Sequence, residues 1–318
     1  MNVLFAGKPF EKLRNVLEQA FSGHTIKIVE DANLAEEISW ADAVILRPMK
    51  FGKDILAFSS DLKLVQQWGV GVEGLDVKAC TEYGVYACNV PSRGSGNAES
   101  VAEAAIMHML LLSRRFFRSQ EKLREGKIFT PPGRSLWGKK ACIVGMGDLG
   151  HCLAERLLCL GMEVAGVNRT MRSEFNEWGV TRVYPFSEMG PAFKGSAFVI
   201  LCLSLNSGTE GIIGEEELSM MEKDAFIINV ARGKLIQREA LEKALSEKWI
   251  SGAGLDVLWD EPHSAQDPLL NNDRIILTPH IGGVTDASMK GVQEFISGNI
   301  ERVSRGEKPL SCLNPDLD

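Results

Sequence analysis

Long hydrophobic runs, paired cysteine motifs and an excess of basic charge are all missing from this chain of 318 residues. Its longest apolar stretch, residues 104–112, already contains His108, and a membrane span needs about twice that length, so no membrane association is expected. Residues 1–5 run into Gly7-Lys8-Pro9 without a basic leader, which predicts no secretory signal. The seven cysteines (80, 88, 142, 152, 159, 202 and 312) form no Cys-x-x-Cys pair and lie mostly in apolar segments. They read as buried, reduced thiols of a cytoplasmic protein, and no metal site is expected. Lysine and arginine number 35 against 42 acids, a net charge of −7, which argues against a nucleic-acid partner. Internal repeats and low-complexity tracts are absent too.

What is present is ordinary globular material, 45% hydrophobic and 24% charged, long enough for about two domains. Short β-branched runs alternate with helical patterns. Strands are expected at 3–6, 25–29, 43–46, 62–66 and 85–89, with helices at 9–21 and 33–38. A second series follows, with strands at 141–144, 164–167, 198–203, 226–230, 253–257 and 275–277 and helices at 149–160 and 238–247. Such alternation implies α/β architecture with parallel sheets covered on both faces. Between the series lies a loop of turn formers, Pro91-Ser92-Arg93-Gly94-Ser95-Gly96-Asn97. Asn97 is placed to cap a helix reaching to about Gly126, whose Arg114, Arg115, Arg118, Lys122 and Arg124 read as a solvated basic face. Met289, Val292, Phe295, Ile296, Ile300 and Val303 form the apolar stripe of a final helix near 286–305.

The first chemical motif is Gly145-Met146-Gly147-Asp148-Leu149-Gly150, set between the strand at 141–144 and a helix with leucines at helical spacing. In that setting Gly145 permits the tight turn, Gly147 lets backbone approach a pyrophosphate and Gly150 lets helix and strand pack closely. After the next strand, where an NAD site places a carboxylate on the ribose, the chain reads Asn168-Arg169-Thr170. A guanidinium flanked by neutral donors suits an adenosine 2′-phosphate, so NADP is favoured over NAD.

Later strands close on Ala231-Arg232-Gly233, on Gly254-Leu255-Asp256-Val257 followed by Glu261-Pro262, and on Thr278-Pro279-His280-Ile281-Gly282-Gly283. In a parallel sheet these ends gather at one edge, where His280 could move a proton, Glu261 could orient its ring and Arg232 could bind an anion.

Together these segments, with Val70-Gly71-Val72-Glu73-Gly74-Leu75-Asp76 and Ser100-Val101-Ala102-Glu103, resemble the D-isomer-specific 2-hydroxyacid dehydrogenase family from about residue 64 to 285. The resemblance implies two doubly wound parallel-sheet domains. One is a flavodoxin-like substrate domain (1–97 and 286–318) and the other a Rossmann nucleotide domain (98–285), with the final helix returning to the first and the chain pairing as a homodimer. It also implies hinges near 91–97 and 284–288. The family's catalytic set falls on Arg232, Glu261 and His280, and its substrate-carboxylate amides fall on Val70 and Gly71. Its dinucleotide contacts fall on Gly145, Gly147, Asp148, Leu149, Gly150, Asn168, Arg169, Thr170, Ser204, Thr209, Val230, Ala231, His280 and Gly282, with Asp256 as the acid that binds the carboxamide. Ser204 stands where many members have proline. Some glyoxylate/hydroxypyruvate reductases are similar there and in carrying a basic residue after the second strand. The expected activity is NAD(P)H-dependent reduction of a small 2-oxo acid to a D-2-hydroxy acid, glyoxylate or hydroxypyruvate in particular. The alternative is a dinucleotide-sensing, corepressor-like binding protein on the same fold. Formate oxidation would call for Gln in place of Glu261.

Overall fold

The apolar runs and stripes build two compact units in the structure, a computed structural model describing residues 1–317. The first unit holds residues 1–97 and the chain from Asp286 onward, and the second holds Ala98–Thr285.

In the first unit, β1 (Asn2–Ala6), β2 (Thr25–Val29), β3 (Ala43–Leu46), β4 (Leu64–Gln67) and β5 (Tyr86–Cys88) form a parallel sheet ordered β2-β1-β3-β4-β5. This is flavodoxin-like winding, as expected. Successive side chains of a strand point to opposite faces, so Val3 and Phe5 enter one apolar cluster and Leu4 and Ala6 the other. The helix Asp286–Ser304 brings Val292, Ile296, Ile300 and Val303 into the same cluster as Phe5, Phe10 and Phe21. Beyond it, Asn314 sits within the sheet's hydrogen bonding. Its Oδ1 accepts from the Ala87 amide at 2.9 Å, and its Nδ2 donates to the Val85 carbonyl at 2.9 Å.

The second unit holds β6 (Lys140–Val144), β7 (Glu163–Val167), β8 (Val183–Tyr184), β9 (Ser196–Leu201), β10 (Phe226–Asn229), β11 (Gly252–Leu255) and β12 (Ile275–Leu277). All are parallel, in the order β12-β11-β10-β9-β6-β7-β8. The order is Rossmann-type, also as expected, and reverses between β6 and β9, where strand ends diverge and leave a crevice. Ala141 and Ile143 join one core layer, Cys142 and Val144 the other.

Several local expectations are corrected. The long helix to Gly126 is two helices, Asn97–Ser113 and Phe116–Arg124, separated by Arg115 in a left-handed conformation (φ 49°). The Arg134 amide donates to the Ser113 carbonyl at 2.8 Å, taking the acceptor that the next helical turn would have used. Asn97 opens the helix rather than capping it, and its Oδ1 accepts from Ser92 Oγ. The strand β8 has no counterpart in the sequence pattern, because two residues carry no periodicity. All seven cysteines are free, but Cys159 is exposed at a helix end; burial pushes the Cys80 and Cys142 thiols up to about 12. Among the described residues no helix is long and apolar enough to cross a membrane, and no cluster of three potential ligands could hold a metal ion.

Replacing Asn314 by Ala leaves the buried Ala87 amide without its acceptor. We expect a loss of about 2 kcal/mol in chemical denaturation; an unchanged midpoint would contradict this account of the tail.

Candidate active site

At the crevice of the second sheet, β6 runs into the glycine loop. Gly145 has φ 106°, and a Cβ there would lie 2.6 Å from the Cys202 carbonyl oxygen at the end of β9. A Cβ on Gly150 would lie 2.1 Å from the Gly145 carbonyl oxygen. These two glycines are therefore required by the fold itself. Gly147 is different: nothing lies within 4 Å of where its Cβ would be, so its missing side chain leaves open space in front of the helix Asp148–Cys159. Free amides at that helix start suit an anion. Asp148 and Ser204 are exposed on the rim, and Leu149 packs against the core.

Beside this loop, Asn168 is committed to the protein. Its Oδ1 accepts from the Met146 amide at 3.1 Å and its Nδ2 donates to the Thr170 carbonyl at 2.7 Å. It braces the glycine loop. Arg169 and Thr170 are exposed next to it. Thr209 is buried and likewise serves the fold: its hydroxyl donates to the Ser204 carbonyl at 2.8 Å and accepts from the Asn206 amide at 2.9 Å.

The ends of β10, β11 and β12 meet the same sheet edge. Val230 and Ala231 are buried. Asn229 clamps the turn that carries Arg232, its Nδ2 donating to the Arg232 carbonyl at 2.8 Å and its Oδ1 accepting from the Ala231 amide at 3.1 Å. Arg232 Nη1 donates to the Ala231 carbonyl at 2.7 Å. At Gly233 a Cβ would collide with the Leu258 carbonyl oxygen at 2.1 Å, so this turn lies directly on the backbone that leads to Glu261. The Leu258 amide donates to Glu261 Oε1 at 3.0 Å, and Glu261 Oε2 lies 2.6 Å from His280 Nδ1. His280 itself has φ 53°. Its amide donates to the Asp256 carbonyl at 2.8 Å. The Asp256 side chain, 2% exposed, accepts from Thr278 Oγ1 (2.5 Å), the Ile281 amide (3.0 Å) and the Gly282 amide (2.8 Å). Asp256 therefore holds the bend that carries His280.

Electrostatics follow from this geometry. The Glu261 hydrogen bond holds the His280 pKa above its ordinary 6.5, against desolvation and the Arg232 charge. Desolvation works against the Glu261 charge. The His280 and Leu258 hydrogen bonds and the Arg232 charge outweigh it, and the Glu261 carboxyl stays below the ordinary glutamate range. Nδ1 being engaged, Nε2 is the nitrogen of His280 left to face a substrate oxygen.

In the first unit, Val70 and Gly71 follow β4. The Val70 carbonyl accepts from Asn89 Nδ2 at 2.8 Å, and Asn89 Oδ1 in turn accepts from Ser311 Oγ at 2.7 Å. Among the described residues nothing accepts from the Val70 or Gly71 amides. Asn229 carries no assigned role in the sequence. Its signal is an amide side chain at a strand end two residues before a required turn amide.

A glycine loop at the switch point and an Arg–Glu–His set on the same edge mark the second unit as a dinucleotide domain of the oxidoreductase type. The comparisons agree. The family model for the NAD binding domain of D-isomer specific 2-hydroxyacid dehydrogenases matches residues 106–282. A glyoxylate reductase of Pyrococcus horikoshii is 31% identical over 294 residues, covering 89% of this chain and 86% of the relative. A D-3-phosphoglycerate dehydrogenase of Methanocaldococcus jannaschii is 32% identical over 320 residues, covering 99% of this chain and 59% of the relative. Among solved structures, D-lactate dehydrogenase of Aquifex aeolicus, complexed with NAD and lactic acid, gives a TM-score of 0.84 at 25% identity over 96% of each chain. The chain belongs to the D-isomer specific 2-hydroxyacid dehydrogenase family.

Glu261→Gln removes the charge that favours protonated His280. In an NMR titration the His280 pKa should fall back toward 6.5; an unmoved titration would contradict the pairing.

Proposed function

We propose that this protein reduces small 2-oxo acids to D-2-hydroxy acids, glyoxylate or hydroxypyruvate foremost, and prefers NADPH to NADH. The observation that carries the reading is the 2.6 Å His280–Glu261 pair with Arg232 acting electrostatically on both partners. The relatives named as glyoxylate reductases support the substrate class.

The open space at Gly147 and the helix start behind it fit a dinucleotide pyrophosphate. When bound, the dinucleotide supplies the hydride. The protein's own residues do the rest. Arg232 holds the anionic substrate and steadies the negative charge that develops on the carbonyl oxygen. Protonated His280 donates from Nε2 to that oxygen, while Glu261 keeps the imidazolium charged and aligned. The Val70 and Gly71 amides are donors suited to a substrate carboxylate. Gly145, Gly150, Asn168, Thr209 and Asp256 shape the dinucleotide site, and Val230, Ala231 and Gly282 form part of its wall. Arg169 is the cation for an adenosine 2′-phosphate.

Two further readings go with this one. Phe116, Phe117, Ile128, Phe129 and Trp137 are exposed, Phe129 at 97%, apolar side chains that a second copy of the chain in a homodimer would cover. Seven free thiols suit the cytoplasm.

His280→Ala should lower kcat by ~10²–10⁴-fold and leave dinucleotide affinity unchanged. Activity within a few-fold of wild type would rule out the role. Arg169→Ala should lower the preference for NADPH by about 10- to 100-fold and spare NADH. An unmutated enzyme that uses NADH equally well would overturn the cofactor choice.

A further inference from the structure

The helix Asn97–Ser113 turns Ala98, Ala102, Ala105, Met109 and Leu112 into the core of the second unit. His108 faces inward with them and is fully buried. An imidazole is an unusual component of an apolar layer, because each ring nitrogen that leaves water needs a partner. Only one has it: Nε2 lies 2.9 Å from Thr278 Oγ1, whereas Nδ1 is buried without a partner among the described residues.

The direction of the hydrogen bonds is fixed from the far end. The Thr278 hydroxyl has one proton, and it goes to Asp256 Oδ1 at 2.5 Å. Toward His108, Thr278 Oγ1 can therefore only accept, so His108 Nε2 carries a proton and donates. A second proton on Nδ1 would be a buried charge with no acceptor. The neutral ring with bare Nδ1 is the form that fits, and burial lowers the His108 pKa in the same sense. The sheet makes room for this contact. At Gly254, in β11, a Cβ would come within 2.8 Å of the His108 Cβ, so any larger residue there would push the helix away.

We propose that His108 is a positioning residue for the proton donor: through Thr278 it orients the Asp256 side chain, which holds the Ile281 and Gly282 amides and so fixes the bend presenting His280. That bend needs holding. His280 stands at φ 53°, a conformation that costs a non-glycine residue roughly 1–3 kcal/mol and persists only when its surroundings enforce it. With the His108 donor removed, the Thr278 hydroxyl keeps Asp256 as its acceptor but is no longer held from the other side, so the third donor to Asp256 is less well fixed. The His280 ring is then less well placed for a proton transfer that matters only in the transition state. The inference rests on the proposed role of His280 as proton donor.

The test compares His108→Leu, which removes the donor at similar volume, with His108→Gln, whose side-chain amide can still donate to Thr278. His108→Leu should lower kcat by about 10- to 100-fold, with KM for the oxo acid within about threefold of wild type. His108→Gln should recover most of that loss. Thr278→Val should match His108→Leu, and the double variant should lose no more than either alone; Thr278→Val carries the test if His108→Leu does not fold. Imidazole nitrogen NMR of the wild-type protein at neutral pH should show the His108 proton on Nε2. A fully active His108→Leu, a Gln variant as impaired as Leu, or a proton on Nδ1 would overturn the positioning role while an inactive His280→Ala leaves the functional reading standing. A fully active His280→Ala would overturn the functional reading and the positioning role together.

Discussion

Asp256 is the constraint on which the site-bearing edge of the second sheet depends. A buried carboxyl group is tolerated only when its oxygens are satisfied, and here they take a hydroxyl and two consecutive backbone amides. Those donors come from the chain on either side of His280, while the Asp256 carbonyl takes the His280 amide itself. One residue at the end of β11 thus dictates the path of the segment after β12, including the positive φ that turns the His280 ring toward Glu261. A comparable device holds Arg232, where Asn229 at the end of β10 closes the turn with its side-chain amide. Arg232 and His280 stand on loops, and buried polar side chains at strand ends, one on the same strand and one on the neighbouring strand, hold those loops in place.

The glycine loop follows a different logic. Gly145 and Gly150 are forced by carbonyl oxygens of the protein, whereas at Gly147 nothing among the described residues beyond its chain neighbours lies within 4 Å of a Cβ. Steric demand from inside the fold explains the first two, whereas the fold places no such demand on the third. Asn168 connects this loop to the end of β7, so the orientation of the loop and the start of the Arg169 segment are mechanically linked.

The parallel α/β character of both sheets was legible in the sequence because short β-branched runs alternate with helices, whereas the flavodoxin-like and Rossmann winding was implied only by the family resemblance. The glycine loop was legible because the steric need for glycine is local. His280 and Glu261 could be paired only by residue type and by resemblance, being 19 positions apart on loops without periodicity. What could not be read were partnerships made across the fold. His108 meets Thr278 across 170 positions, and nothing around residue 108 distinguishes it from an apolar helix face. The helix break at Arg115 has the same origin, since the acceptor it lacks is taken by Arg134 from a later loop. Thr209 and Asn168 looked like ligand contacts because they lie on the right loops, yet their hydrogen bonds turn inward.

The central claim is that this edge binds a carboxylate next to a carbonyl and protonates the oxygen as hydride arrives. The most direct measurement is the initial rate of NADPH oxidation by the wild-type protein with glyoxylate and hydroxypyruvate, set beside aldehydes and ketones of equal size that lack the carboxylate. The account predicts turnover of the oxo acids and little of the uncharged carbonyls. Equal turnover of both sets, or none of either, would contradict it.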